Sequence, residues 1–139
     1  MAIPPFSIFS AISELFVTAG VLWIVRRNWQ RRTCPLTLVL AVVLFDALVN
    51  VLYMAGRASA AAAGHDAVST GMKVFYAAHG ILSLAAFIAF VVLGVLAHQD
   101  QKRQRWFFRE MPVLTWVFVV VWIVSIASGE AIFVLRYLV

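Results

Sequence analysis

The amino-acid sequence predicts an all-α integral membrane protein, a four-helix bundle in a single domain that covers residues 1–139. Apolar residues make up 64% of the chain and charged residues only 12%, whereas soluble domains contain about a quarter charged residues. The apolar residues form four runs near the length of about 20 residues that crosses a hydrocarbon core. The runs lack the period-two alternation of a membrane barrel. Because hydrocarbon offers backbone groups no partner, such runs are expected to be helical.

The four spans are predicted at residues 5–25, 35–54, 74–97 and 112–138. A proline opens the first, second and fourth spans, where its missing amide donor would be unpaired in any case. The connections are too short to bury a core of their own, which leaves one domain. The connection at 57–70 is expected to be a mobile or interfacial segment that covers the outer end of the bundle. The aromatic and basic stretch at 98–110 is expected to lie at the membrane surface.

The basic residues indicate the orientation. Four lie between the first two spans and four between the last two, against three elsewhere. Because cytoplasmic loops are rich in lysine and arginine, both termini are expected on the extracytoplasmic side, and a bacterial inner membrane fits this pattern best. The net charge of +5 predicts contact with anionic lipid headgroups, and not with nucleic acid, which needs a basic patch on a soluble surface.

Each predicted span carries an ionisable side chain: Glu14, Asp46, His79 and Glu130. A charge in hydrocarbon costs from a few to over ten kcal/mol unless it is paired, protonated or metal-bound. At about 1.5 Å of rise per residue, the four lie roughly 8 to 15 Å below the extracytoplasmic surface. We therefore expect them to face one chamber that is closer to the outer side of the membrane.

Further polar side chains recur three or four positions away from these residues, and so lie on the same helix faces. This spacing predicts that the faces are directed towards protein. The polar neighbours, in chain order, are Ser7, Ser10, Thr18, Asn50, Tyr53, Tyr76 and Ser83.

Two interpretations of this cluster are open. The side chains of Glu14, Asp46, Asn50, His79 and Glu130 offer the oxygen and nitrogen ligands that suit iron, manganese, zinc or copper(II), and helix bundles do build such sites from facing helices. Alternatively, a network of protonated acids and hydrogen bonds fixes which helix faces meet and binds nothing. Without a cation, at least one or two of the three carboxyl groups should be protonated at neutral pH.

A haem clamped by two histidines of this chain is not expected. His79 and His98 lie roughly 28 Å apart along the same span, too far to hold one haem, and His65 lies in the outer connection. His79 could still serve as a single axial ligand. The sequence contains no nucleophile elbow, no glycine-rich phosphate loop and no His-Glu-x-x-His motif, which argues against hydrolytic or phosphoryl-transfer chemistry.

A set of single residues at characteristic intervals resembles a known family, the small four-helix membrane proteins catalogued as domain of unknown function 420. In the last two spans these residues are Phe75, Tyr76, His79, His98, Lys102, Arg103, Arg105, Pro112, Trp116, Ser128, Gly129 and Tyr137. In the first span they are Ser10, Ala11, Glu14, Gly20, Arg26 and Arg27.

The resemblance implies a link to respiratory haem-copper oxidases, since some members of that family are oxidase assembly factors. His79 is the position that matches the family, which usually has a further histidine where this chain has Gly56 and Arg57. We therefore expect a non-catalytic assembly factor or accessory subunit of a membrane redox complex, with other membrane subunits and lipid as partners. The alternative is a small metal-binding or proton-coupled membrane protein that uses Glu14, Asp46, His79 and Glu130 directly.

Overall fold

A computed structural model describes residues 4–62 and 69–138. These residues form five helices and no strand. The helices are α1 (Pro5–Trp29), α2 (Leu36–Ala62), α3 (Thr70–Lys102), α4 (Phe107–Glu110) and α5 (Pro112–Tyr137). All except α4 are long and apolar enough to cross a membrane. The predicted all-α bundle of four membrane-spanning helices is confirmed.

The long helices extend beyond the predicted spans at four of their eight ends. α1 continues to Trp29, α2 to Ala62, and α3 runs from Thr70 to Lys102. A hydropathy run marks the part of a helix that crosses hydrocarbon, and polar residues can continue the same helix into the interface. The segment predicted to be mobile or interfacial from residue 57 is helical as far as Ala62. Residues 63–68, which include His65, lie outside the described residues, so the predicted cover of the outer end stays a prediction.

Seen along the bundle axis, the four long helices stand at the corners of a square, and the contacts between neighbouring helices are its sides. α1 packs against α2 and α5, and α3 packs against the same two helices. The contact between α2 and α3 is the sparsest of the four sides. We call the end that holds the α1–α2 and α3–α5 connections the basic end. The opposite end, where α1 and α3 begin and α2 and α5 finish, is the terminal end.

The half of the bundle towards the basic end is filled by apolar side chains. Phe90 of α3 lies against Phe118 and Trp122 of α5, with ring centroids 6.3 and 5.6 Å away. Val21 and Ile24 of α1 are at most 1% exposed beside them. The apolar side chains at the centre of this half are therefore almost completely buried.

Two glycines let α2 approach its neighbours in this half. A methyl group at Gly94 of α3 would stand 2.9 Å from Cγ1 of Val39, and one at Gly20 of α1 would stand 3.1 Å from Cγ2 of Val42. Small residues of this kind allow membrane helices to come close together. The two valines therefore hold α2 firmly towards the basic end.

Hydrogen bonds tie the connections together at the basic end. The backbone amide of Cys34 donates to Oε1 of Gln101 at 2.9 Å, and Nε2 of Gln101 donates back to the Cys34 carbonyl at 2.8 Å. The amide of Phe108, in α4, donates to Oδ1 of Asn28 at 3.1 Å. Thr115 hydroxyl donates to the Phe108 carbonyl at 2.8 Å. The short helix α4, which the sequence did not predict, is thereby held against the bundle.

The outer faces of the long helices are apolar. Phe16, Ile81 and Val113 are between 72% and 76% exposed in the isolated chain. Such surface, on helices of membrane-spanning length, is suited to contact with lipid. The fold is that of a multi-pass membrane protein.

Candidate functional site

The half of the bundle towards the terminal end contains a cavity of about 610 Å³. Its wall includes all five side chains singled out in the sequence: Glu14 from α1, Asp46 and Asn50 from α2, His79 from α3, and Glu130 from α5. The inward direction of these side chains was predictable from the sequence, because a polar group within hydrocarbon must face protein. The structure thus places one ionisable group from each long helix around the same space.

Trp122 closes the cavity towards the basic end. Its side chain is 3% exposed, and Nε1 donates a hydrogen bond to Oγ1 of Thr18 at 3.1 Å. One turn further into the cavity, the hydroxyls of Ser83 and Ser125 are hydrogen-bonded at 2.8 Å. The end of the cavity nearest the basic end is therefore formed by polar side chains that are hydrogen-bonded to one another within the bundle.

The hydrogen bonds of His79 define its tautomer. Nδ1 lies 2.8 Å from Oγ of Ser128, and that hydroxyl donates to the backbone carbonyl of Ser125 at 2.7 Å. A serine hydroxyl has one proton to donate, so it must accept from Nδ1 of the imidazole. Neutral His79 consequently carries its proton on Nδ1 and leaves Nε2 as a hydrogen-bond acceptor.

Gly129 is the position of α5 against which Glu14 and His79 both lie. A methyl group there would stand 3.1 Å from Oε2 of Glu14, 3.0 Å from Cε1 of His79 and 3.4 Å from Nε2 of His79. The absence of a side chain at Gly129 lets a carboxyl group from α1 and an imidazole from α3 approach the same point of the α5 backbone.

The carboxyl groups differ in how they are held. Asp46 is 8% exposed, and its Oδ1 accepts a hydrogen bond from Nδ2 of Asn50 at 2.9 Å. Glu14 lines the same cavity as Asp46 and Glu130, and its Oε2 lies against Gly129, the residue before Glu130. Within the part of the chain that the structure describes, the buried Oε1 of Glu130 has no hydrogen-bond partner. This buried oxygen of Glu130 could therefore accept a hydrogen bond from a molecule bound in the cavity.

Arginine and tyrosine side chains surround the cavity at the terminal end. The guanidinium carbon of Arg57 lies 4.3 Å from the ring centroid of Tyr76, and Arg136 donates to the hydroxyl of Tyr76 at 3.2 Å. The hydroxyls of Ser7 and Tyr137 are 3.2 Å apart. Arg57 was not among the predicted site residues. It lies four residues after Tyr53 and eleven after Asp46, on the same helix face, and this spacing could have predicted its position at the site.

The cavity opens sideways between α2 and α3. Val51 and Met54 of α2 and Leu84 of α3 line it, and each is at least 60% exposed in the isolated chain. This is also the side of the bundle where helix contacts are sparsest. The opening is apolar and faces the surface that is suited to lipid.

The shared cavity does not amount to a metal centre. Across residues 4–62 and 69–138, no three His, Cys, Asp or Glu side chains lie close enough together to hold a metal ion. The predicted ligands Glu14, Asp46, Asn50, His79 and Glu130 come from four helices around a wide space, and their donor atoms do not converge. The expectation of iron, manganese, zinc or copper gains no support from this arrangement, and a haem on His79 stays a prediction.

No protein family model matches the chain, and curated proteins and solved structures give no significant match either. The resemblance to the domain of unknown function 420 and the role in a respiratory complex that it implies therefore stay predictions.

Proposed function

We propose that this protein binds an amphiphilic molecule that it takes up from the lipid bilayer. The observation that carries the proposal is the cavity itself: its depth is lined by carboxyl, imidazole and hydroxyl groups, while its opening between α2 and α3 is apolar. A molecule with a polar group and an apolar body fits both parts. Lateral access through lipid-facing side chains suits a ligand that is already dissolved in the membrane.

The size and lining of the cavity support this function. Small-molecule sites in proteins usually have volumes of about 300–1,000 Å³, with a few polar groups among apolar walls. The volume of about 610 Å³ lies within that range. The positions that a large side chain would fill are occupied by small residues, among them Ala47, Gly80 and Gly129.

A purely structural hydrogen-bond network explains less of the structure. Such a network would be expected to close up, because protein interiors tolerate few voids larger than a water molecule. Towards the basic end the same chain fills the space between its helices with buried aromatic side chains, among them Phe90 and Trp122. The space beside Glu14 and His79 is therefore better explained as a binding site than as a failure to pack.

Filling the opening tests the proposal. Gly80 lines the cavity, and a Cβ added there meets nothing within 4 Å, so Gly80→Trp should place an indole in the opening without distorting the helix. Ile81→Trp is the matched control, because Ile81 is 72% exposed and does not line the cavity. Both variants and the unaltered protein are purified in mild detergent, and the molecules that they retain are extracted and identified by mass spectrometry.

The proposal predicts one amphiphile enriched with the unaltered protein and with Ile81→Trp, and depleted at least tenfold with Gly80→Trp. An equal content in all three preparations, or no enriched molecule in any, would overturn it.

We also propose that the terminal end faces the outside of a bacterial inner membrane, which the distribution of basic residues supports. Cys34 is the only cysteine, is 5% exposed, and burial raises the pKa of its thiol, so it should react slowly. In a Cys34→Ala background, Ser59→Cys at the terminal end should react with an impermeant maleimide in intact cells, whereas Arg103→Cys should react only after lysis. The reverse pattern would invert the orientation.

A further inference from the structure

We propose that the amphiphile is an organic cation, whose positive group lies between the carboxyl groups of Glu14, Asp46 and Glu130. This inference rests on the proposed function, because it names the class of ligand for the same cavity. It is carried by the hydrogen-bonding character of the polar side chains that line the cavity, by the presence of acidic groups from three helices around the same cavity, and by the apolar character of the opening.

Around His79 and Asp46 the cavity offers mainly acceptors, whereas the donor Arg57 lines it about three turns away from Asp46 along α2. Nε2 of His79 is an acceptor because Nδ1 holds the proton for Ser128. Nδ2 of Asn50 donates to both the backbone carbonyl and Oδ1 of Asp46, which leaves its Oδ1 as an acceptor. Ionised carboxylates are acceptors only. A ligand that donates hydrogen bonds, such as an ammonium group, complements this set.

The charges point to the same class of ligand. The carboxyl groups of Glu14 of α1, Asp46 of α2 and Glu130 of α5 line the same cavity, where like charges repel one another. One positive charge between them would relieve that repulsion and compensate for their removal from water. The buried Oε1 of Glu130, which has no hydrogen-bond partner among the described residues, would gain a donor.

The opening between α2 and α3 favours a lipophilic cation over a hydrated ion. Arg57 stands eleven residues from Asp46, about 16 Å along α2, and Arg136 contacts the same tyrosine, Tyr76. These arginine and tyrosine side chains occupy the terminal end of the cavity, so the approach along the bundle axis is polar and partly filled. The sideways opening past Val51, Met54 and Leu84 carries no charge. A ligand that follows this path needs an apolar body, which would remain against these side chains.

Tetraphenylphosphonium is a suitable probe, with uncharged triphenylphosphine oxide as its neutral counterpart. Binding to the purified protein is measured by isothermal titration calorimetry in mild detergent. The cation should bind at least tenfold more tightly than the neutral compound. Glu14→Gln and Glu130→Gln should each weaken binding of the cation at least fivefold. Glu110→Gln, which changes an exposed carboxylate in α4, is the control and should leave the affinity unchanged.

Cation binding should strengthen as the pH rises from 5 to 8, because protons compete for the same carboxylates and His79 loses its positive charge. The ionisable groups that line the cavity are Glu14 from α1, Asp46, Tyr53 and Arg57 from α2, Tyr76 and His79 from α3, and Glu130 from α5. Arg136 and Tyr137 of α5 contact the lining residues Tyr76 and Ser7.

The outcomes separate the two proposals. Equal binding of both probes would overturn the proposal that the ligand is a cation, and so would an affinity that Glu14→Gln and Glu130→Gln leave unchanged. Either result would leave the cavity as a site for another amphiphile. The same holds if neither probe binds but an uncharged molecule is retained by the purified protein and lost in Gly80→Trp. If neither probe binds and no molecule is retained, both proposals fail. Size-exclusion profiles and helicity of the variants establish that they remain folded.

Discussion

The interaction between His79, Ser128 and the Ser125 carbonyl joins α3 to α5 in the membrane. Nδ1 of His79 lies 2.8 Å from Oγ of Ser128, and the serine hydroxyl donates a hydrogen bond to the Ser125 carbonyl of its own helix at 2.7 Å. Interhelical hydrogen bonds between side chains in membranes contribute about 0.6 kcal/mol on average. The hydrogen bond between His79 and Ser128 therefore contributes little to stability, and its main effect is to fix the orientation of the imidazole. A fixed orientation is expected of a side chain that contacts a ligand.

A double-mutant cycle tests this pairing. His79→Ala and Ser128→Ala should each lower the free energy of unfolding by about 1 kcal/mol. The double variant should lose less than the sum of the two, because both substitutions break the same hydrogen bond. Unfolding in mixed micelles of increasing denaturing detergent supplies the energies. Strictly additive losses would show that the two side chains do not interact.

Gly129 should be intolerant of even one methyl group. A Cβ at this position would meet Cε1 of His79 at 3.0 Å and Oε2 of Glu14 at 3.1 Å. We expect Gly129→Ala to lower the free energy of unfolding by about 1–3 kcal/mol, the usual cost of overpacking, and to weaken ligand binding by displacing both groups. Gly56→Ala is the control, because a Cβ there meets nothing within 4 Å. Equal unfolding energies for the two variants would contradict the close approach.

At the scale of the helices, α1 and α3 end in the same way. After each helix a non-glycine residue takes a left-handed conformation: Arg31 and Gln104 both have φ of 59°. In each case the following residue donates to a carbonyl five positions back, Arg32 to Arg27 and Arg105 to Asp100. This is the Schellman arrangement, in which glycine is the preferred residue at the left-handed position.

Glycine at position 104 should therefore stabilise the protein. The left-handed conformation costs a side-chain-bearing residue about 1 kcal/mol or more, and glycine adopts it freely. We expect Gln104→Gly to raise the free energy of unfolding by about 0.5–1 kcal/mol. Arg103→Gly is the matched control, because Arg103 has φ of −96° and gains nothing from glycine. A loss of stability in Gln104→Gly would show that the side chain of Gln104 contributes more than its backbone strain costs.

The hydrogen bonds of α4 give a weaker, pH-dependent stabilisation. The backbone amide of Trp106 and then the Arg105 side chain hold the pKa of Glu110 below its ordinary value. A carboxylate with a lowered pKa in the folded state stabilises the fold above its unfolded pKa, and this contribution is lost as the pH falls through the folded pKa. Because Glu110 is exposed, the effect should be small and confined to acidic pH.

At the scale of the whole molecule, the sequence was sufficient for the number of spans and for the faces that turn inward. Run length identifies a membrane helix because hydrocarbon thickness is fixed. The faces of Glu14, Asp46, His79 and Glu130 were predictable because lipid does not tolerate an ionisable group. These are local constraints, and each can be seen within one helix.

The remaining features depend on how helices meet, which a single sequence does not reveal. The cavity exists because Val39 and Val42 hold α2 at Gly94 and Gly20 towards the basic end, whereas α2 and α3 make sparse contact overall. The helix ends beyond the hydropathy runs, the helix α4 and the position of Arg57 depend on similar tertiary contacts. The resemblance to a known family supplied no information about this packing.

This asymmetry between the two halves of the bundle predicts a gradient of hydrogen exchange along α2. Backbone amides at residues 50–57, which border the cavity and its opening, should exchange faster than those at residues 38–45, which lie near the contacts of Val39 and Val42 with glycine. The reason is that local opening requires the loss of few packed contacts where the helix borders a cavity. Exchange is measured by mass spectrometry on the protein in lipid nanodiscs.

The corresponding half of α5 provides the internal control for that measurement. Residues 125–132 of α5 also border the cavity, but α5 packs against both α1 and α3, and Ser125 and Ile132 are buried. They should remain protected while residues 50–57 of α2 exchange. Occupation of the cavity by a bound amphiphile should slow exchange at 50–57 and leave 38–45 unchanged, because the ligand adds contacts only in the open half. Uniform exchange along α2 would mean that the gap between α2 and α3 closes in a bilayer, and the sideways route into the cavity would be lost with it.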